Sequence, residues 1–126
     1  MATQIIHKLS LFTFIAVYLV AGIMHFIKPD IYLEVIPDWL GNKLLINYIA
    51  GIAELIVASM AVFFKTRKMA GYLTIAMLLA FIISHVYFLL NGSCAGDLCI
   101  PSWIGWSRLL IIHPILIYWA YKITKI

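Results

Sequence analysis

Apolar positions run almost unbroken through four stretches of this chain, residues 9–27, 44–64, 69–90 and 103–121, and polar positions collect between them. A helix needs about 20 mostly apolar residues to cross a bilayer. The first three stretches meet that length outright. The fourth meets it with Arg108 near its start, where the guanidinium can reach the headgroups while its stem stays in the apolar layer. None of the runs follows the alternating, roughly ten-residue pattern of a membrane β-barrel. A backbone in lipid must also satisfy its own hydrogen bonds, so each run reads as a helix. The pattern predicts an all-α membrane protein: a four-transmembrane-helix bundle, one domain over residues 1–126.

The connections refine this picture. Residues 65–68 form so short a second loop that the second and third spans must be antiparallel neighbours. Residues 29–40 read as a short amphipathic helix in the first outward loop. It offers Ile31, Leu33, Val35 and Ile36 for apolar contact, and Pro37 ends it because proline disfavours helical geometry in the residue before it. The first apolar run follows Lys8 as a signal-peptide core would, but no small-residue cleavage site follows, so it reads as an uncleaved span.

Composition agrees. Apolar residues make up 65% of the chain and charged residues 11%, against about 45–50% and 25% in soluble domains. So few charges cannot build a soluble surface, and the lipid bilayer is the expected partner. The net charge of +4 does not point to nucleic acid, because no basic stripe interleaved with aromatics is present. The basic residues sit instead at the ends of the apolar runs. Lys8, Lys65, Arg67, Lys68, Lys122 and Lys125 share one side with no acid. Lys28, Lys43 and Arg108 share the other with Asp30, Glu34, Asp38 and Asp97. The positive-inside rule then places both termini in the cytoplasm of a cell (inner) membrane protein. Trp39, Trp103, Trp106 and Trp119 fall near the expected interfaces, as an aromatic belt would.

Candidate chemistry lies in the polar residues that interrupt the apolar runs. Glu54 stands ten residues from each end of the second run, roughly mid-bilayer at about 1.5 Å rise per residue. An ionisable group there costs about 2.5–3.5 kcal/mol on insertion scales. Asn47, Gly51, Glu54 and Ala58 share one helix face, which should point into the bundle. His25, His85, Arg108 and His113 lie at the same depth or further outward, whereas the inner half holds only isolated hydroxyls such as Ser59 and Thr74. The pattern predicts an outward-opening polar cavity lined by His25, Glu54, His85 and Arg108, with His113 as a weaker candidate and with Arg108 or a histidine as the partner of Glu54. His113, five residues from Arg108, should point about 140° away on an α-helix, and Pro114 should kink the fourth span. No two of these groups sit at the i, i+3 or i+4 spacing of di-metal bundles, so no metal site is assigned. Cys94 and Cys99 share the outward loop 91–102, where Gly96 supplies flexibility. In an oxidising compartment they should form a disulfide, serving either as a loop staple or as a thiol-exchanging redox pair.

The chain resembles the DoxX-like group of small four-helix membrane proteins. The resemblance rests on Gly22, His25, Phe26, Pro29, Tyr32, Pro37 and Leu40, then on Ala50, Gly51 and Glu54, then on Thr66 and Arg67. It continues through Arg108, Leu109 and Leu116-Ile117-Tyr118-Trp119-Ala120. The longer third loop with two cysteines departs from the group and resembles the related MauE branch, tied to disulfide maturation. The resemblance implies a four-helix bundle, a link to respiratory or sulfur-redox complexes and thiol homeostasis, and His25, Glu54 and Arg108 as matching polar positions. The expected function is a redox-associated membrane subunit coupling Cys94 and Cys99 to a quinone or to a larger membrane or redox partner. A non-catalytic assembly chaperone or accessory subunit is the alternative. A small-molecule or lipid transporter ranks third, because four spans without an internal repeat would require a homo-oligomer for alternating access.

Overall fold

A computed structural model of the protein describes residues 1–95 and 97–126. The chain forms an all-α bundle with one minimal hairpin. Helix α1 (Ala2–Ile27) is followed by the single turn α2 (Asp30–Leu33) and a 3-10 turn (Asp38–Leu40). Helices α3 (Lys43–Val62) and α4 (Phe64–Leu90) form the centre. Strands β1 (Cys94–Ala95) and β2 (Leu98–Cys99) pair antiparallel. The chain then runs helically through α5 (Ser102–Ser107), a π-helical stretch (Arg108–Ile112) and α6 (His113–Ile123). Helices α1, α3 and α4 are long and apolar enough to cross a membrane. Their outward faces carry exposed Ile5, Phe12, Val20, Ile52, Ile56 and Leu79. Continuous apolar surface of this kind is rare on soluble monomers and is consistent with a membrane-associated protein.

Three boundaries differ from the sequence pattern, each for a local reason. Helix α1 begins at Ala2, so the polar residues before 9 are helical too. Residues 65–68 are not a loop but the opening of α4, and the corner is Phe63 alone, in extended geometry. The last carbonyls of a helix have no partner within it. Here Thr66 Oγ1 donates to the Met60 carbonyl at 2.7 Å, and Arg67 Nε and Nη2 donate to those of Ala61 and Val62 at 2.9 and 3.1 Å. The first turn of α4 thus caps the end of α3, and no loop is needed. The expected amphipathic helix over 29–40 is broken in two. Pro37, with ψ of 139°, interrupts it, and Ile36 and Pro37 turn inward and are buried.

The core sits at the corner end of the bundle. Leu11, Phe14 and Tyr18 of α1 pack with Val57, Ala58 and Ala61 of α3, Ala70 of α4, and Ala120 and Ile123 of α6. Phe14 meets Trp119 edge-on at 5.5 Å between ring centres, and Trp119 Nε1 donates to Ser10 Oγ at 2.8 Å, tying α6 to α1. Trp119 is therefore a packing residue rather than part of a belt, whereas Trp39, Trp103 and Trp106 are exposed.

Toward the other end α1 and α3 cross on glycine. A Cβ on Gly51 would fall 2.6 Å from the His25 Cβ, and one on Gly22 would fall 2.9 Å from the Gly51 carbonyl oxygen. Neither position tolerates a side chain unless the helices separate. Gly51→Val should destabilise the protein by about 1–3 kcal/mol through overpacking. Ile52→Leu, on the exposed face, should leave stability nearly unchanged. Thermal unfolding of both variants in detergent micelles checks this; equal midpoints would contradict the close crossing.

Candidate functional site

The close crossing presses three polar side chains together. Proline at 29 has no N–H, so the His25 carbonyl loses the donor four residues on that would continue the helix. Asn47 of α3 supplies the missing donor: its Nδ2 gives a hydrogen bond to His25 O at 2.9 Å. With the amide so oriented, Asn47 Oδ1 faces His25 Nδ1 at 2.6 Å. That oxygen can only accept, so Nδ1 carries the proton. The other ring nitrogen, Nε2, lies 3.3 Å from Glu54 Oε2. With Nδ1 protonated, Nε2 is the ring nitrogen that faces the Glu54 carboxyl group.

All three side chains are buried, Asn47 completely and Glu54 to within 6%. Although Nε2 is close to Oε2, the geometry is not that of a hydrogen bond, and Oε2 has no hydrogen-bond partner among the described residues. The same is true of the buried Tyr18 hydroxyl on α1. A buried carboxyl oxygen without a donor is unusual and leaves Glu54 with unused hydrogen-bonding capacity. From the single turn α2, Tyr32 stacks on His25 with ring centres 3.8 Å apart. Burial pushes its hydroxyl above the usual phenol range, so Tyr32 stays neutral where it stacks.

His25 and Glu54 form part of the wall of a cavity of about 560 Å³. The rest of the wall is mainly apolar, from Ile36, Ile46, Ala50, Ala53, Met77 and Phe81, with Ser84, His85 and Arg108 as further polar groups. The sequence-predicted quartet of His25, Glu54, His85 and Arg108 thus lines one cavity. The partner of Glu54 is His25; Arg108 makes no ion pair with it among the described residues. The Arg108 guanidinium lies 5.4 Å from the Phe88 ring centre instead.

The π-helical stretch corrects the expectation for His113. Its N–H bonds the carbonyl of Arg108, five residues back, and this wider turn brings residues five apart toward one face. His113 is therefore turned inward and buried. Its Nε2 donates to the Leu78 carbonyl, and its ring meets His85 at 4.8 Å. It stands behind His85 and does not line the cavity. Where a kink at Pro114 is expected, the chain forms a π-helical stretch immediately before it and continues as α6.

Cys94 and Cys99 are opposite each other in the β1–β2 register and are joined by a disulfide. Cys99 is exposed, Cys94 is half-buried, and neither lines the cavity. The hairpin is anchored by the Ser93 N–H to the carbonyl of Phe88, a cavity residue, at 3.0 Å. Gly96, expected to supply flexibility here, lies outside the described residues. No cluster of three metal-ligating side chains occurs among the described residues. Sequence reasoning did not single out Asn47 as the partner of His25, nor Tyr32 or Ser84 as site residues. The signal available for Asn47 was an amide one turn from Gly51 on the inward face.

Residues 14–124 match the family described as Domain of unknown function (DUF8561), and the chain belongs to that family. No curated protein and no solved structure matches the chain.

If Asn47 holds His25 as described, Asn47→Leu should lower stability by about 1–3 kcal/mol, since it leaves the His25 carbonyl and Nδ1–H buried without partners. The nitrogen chemical shifts of the His25 ring should also lose the signature of a fixed Nδ1–H tautomer. An unaltered ring spectrum would contradict the assignment.

Proposed function

We propose that the chain crosses the bilayer four times and binds a quinone, or a ring compound of the same chemistry, in the cavity beside Glu54. The fourth crossing is the continuous helical path from Ser102 to Ile123, long enough for the roughly 20 residues a span needs. Six basic residues and no acid on the corner side support cytoplasmic termini. The cavity and the hairpin then face outward.

The observation that carries the binding reading is a buried His25–Glu54 pair, 3.3 Å from Nε2 to Oε2, set in an otherwise mainly apolar wall. A quinone offers a flat apolar ring and carbonyl oxygens that accept hydrogen bonds and then protons. Glu54 and His25 hold a transferable proton beside such an oxygen. Arg108 and His85 stand on the wall as groups able to stabilise developing negative charge. The likeness to DoxX-like proteins supports a redox-associated role. In that role the reduced Cys94–Cys99 pair closes its S–S bond and releases two electrons and two protons. The quinone takes up both and becomes the quinol. The exposed Cys99 leaves the bridge open to thiol exchange with a partner protein.

Quenching of tryptophan fluorescence by a short-chain ubiquinone analogue, titrated into protein in lipid nanodiscs, tests the binding. Glu54→Gln should weaken it roughly tenfold, the loss of one charge-assisted hydrogen bond; equal affinity would remove Glu54 from the site. Thiol trapping in cells tests the coupling separately. The pair should shift from disulfide toward thiol when membrane quinone is depleted. A pair that stays oxidised under both conditions makes the bridge a staple and leaves the chain an accessory subunit or assembly chaperone.

A further inference from the structure

A second concavity lies at the opposite end of the bundle from the cavity. It is about 430 Å³ and is formed where the α3–α4 corner meets the last turn of α6. Lys65, Arg67 and Lys68 enter it from α4, and Lys125 enters from beyond α6. No acidic side chain lines it, and no ion pair joins these four cations to an acid among the described residues. Four like charges converging from two separate segments repel one another, and an anion relieves that repulsion. Two further features fit an anion. The α4 amino terminus has no side-chain cap, and the N–H groups of Phe64 and Lys65, ahead of those of Thr66 and Arg67 that bond the Phe63 carbonyl, remain available. Arg67 is held in place by the Ala61 and Val62 carbonyls through Nε and Nη2, a preorganised arm rather than a mobile one.

The apolar surroundings distinguish between anions. The fully buried Ile123 lies beneath the concavity, and the strongly exposed Phe64 ring stands at its edge. A free phosphate would use the charges and leave the ring in water. A phospholipid would set its phosphate among the lysines and its glycerol and acyl chains along Phe64. We propose that this concavity is a binding site for the phosphate headgroup of an anionic phospholipid. The site is separate from the cavity beside Glu54 and does not depend on what that cavity binds.

The test uses the full-length protein in detergent, with thermal unfolding and native mass spectrometry as readouts. The expected result is that phosphatidylglycerol raises the unfolding temperature and stays bound, whereas phosphatidylcholine does neither. Lys65→Gln/Lys68→Gln/Lys125→Gln should weaken phosphatidylglycerol retention roughly tenfold or more, given the contribution of each cation at a lipid surface. Lys28→Gln/Lys43→Gln, which removes two cations from the other end, should leave retention unchanged and serves as the control. Equal retention of the two lipids, or a triple variant that retains phosphatidylglycerol as the wild type does, overturns the site. Inorganic phosphate that reproduces the full stabilisation on its own overturns the lipid assignment in favour of a free anion.

Discussion

An imidazole, an amide and a carboxyl group buried between two apolar helices constrain everything around them. Left unpaired at that depth, each would carry a desolvation penalty large against the whole stability of a small protein. His25 and Asn47 avoid it, and Glu54 is partly relieved of it, only because α1 and α3 approach closely enough for the ring to reach the amide and lie beside the acid. That approach needs Gly22 and Gly51, where a Cβ would force the backbones apart. It also needs Pro29, whose missing N–H frees the carbonyl that Asn47 holds. The crossing, the polar cluster and the end of the first helix are therefore a single arrangement.

The bundle is packed unequally along its length, and the site follows from that. At the corner end Phe14, Val57, Ala61, Ala70 and Ile123 fill the interior, and side chains of α4 cap the end of α3. At the other end the helices leave a cavity walled by apolar groups and by polar side chains from α1, α3, α4 and the π-helical stretch. The π turn lets Arg108 line the cavity while His113 stands behind His85. Such turns occur often at functional sites, and here the wider turn has a clear geometric effect.

Much of this was legible in the sequence. The apolar runs marked the long helices, and the mid-run position of Glu54 marked the site, because an acid there needs a compensating partner. The face of Asn47, Gly51, Glu54 and Ala58 followed from helical spacing alone. What spacing could not reveal depends on contacts between segments distant in sequence. The partner of Glu54 was open between Arg108 and a histidine, since nothing in a linear pattern measures distance across the bundle. That Arg108 and His113 both turn inward is not legible, because 100° per residue does not hold through a π turn. Residues 65–68 read as a loop in the sequence because Lys65, Arg67 and Lys68 are charged, and charge patterning does not reveal that Thr66 and Arg67 reach back to cap α3. Trp119 looked like a belt residue by position, yet Ser10 and Phe14 draw it into the core.

The central claim is that a ring compound occupies the cavity with its polar end against the His25–Glu54 pair. Photolabelling in native membranes with an azido-quinone, followed by peptide mapping, addresses it most directly. The account predicts label concentrated on cavity residues of α3 and α4, such as Ala50, Ala53, Met77 and Phe81, and displaced by excess unlabelled quinone. Label spread evenly over lipid-facing positions such as Phe12 and Ile52, and undiminished by competitor, would contradict it.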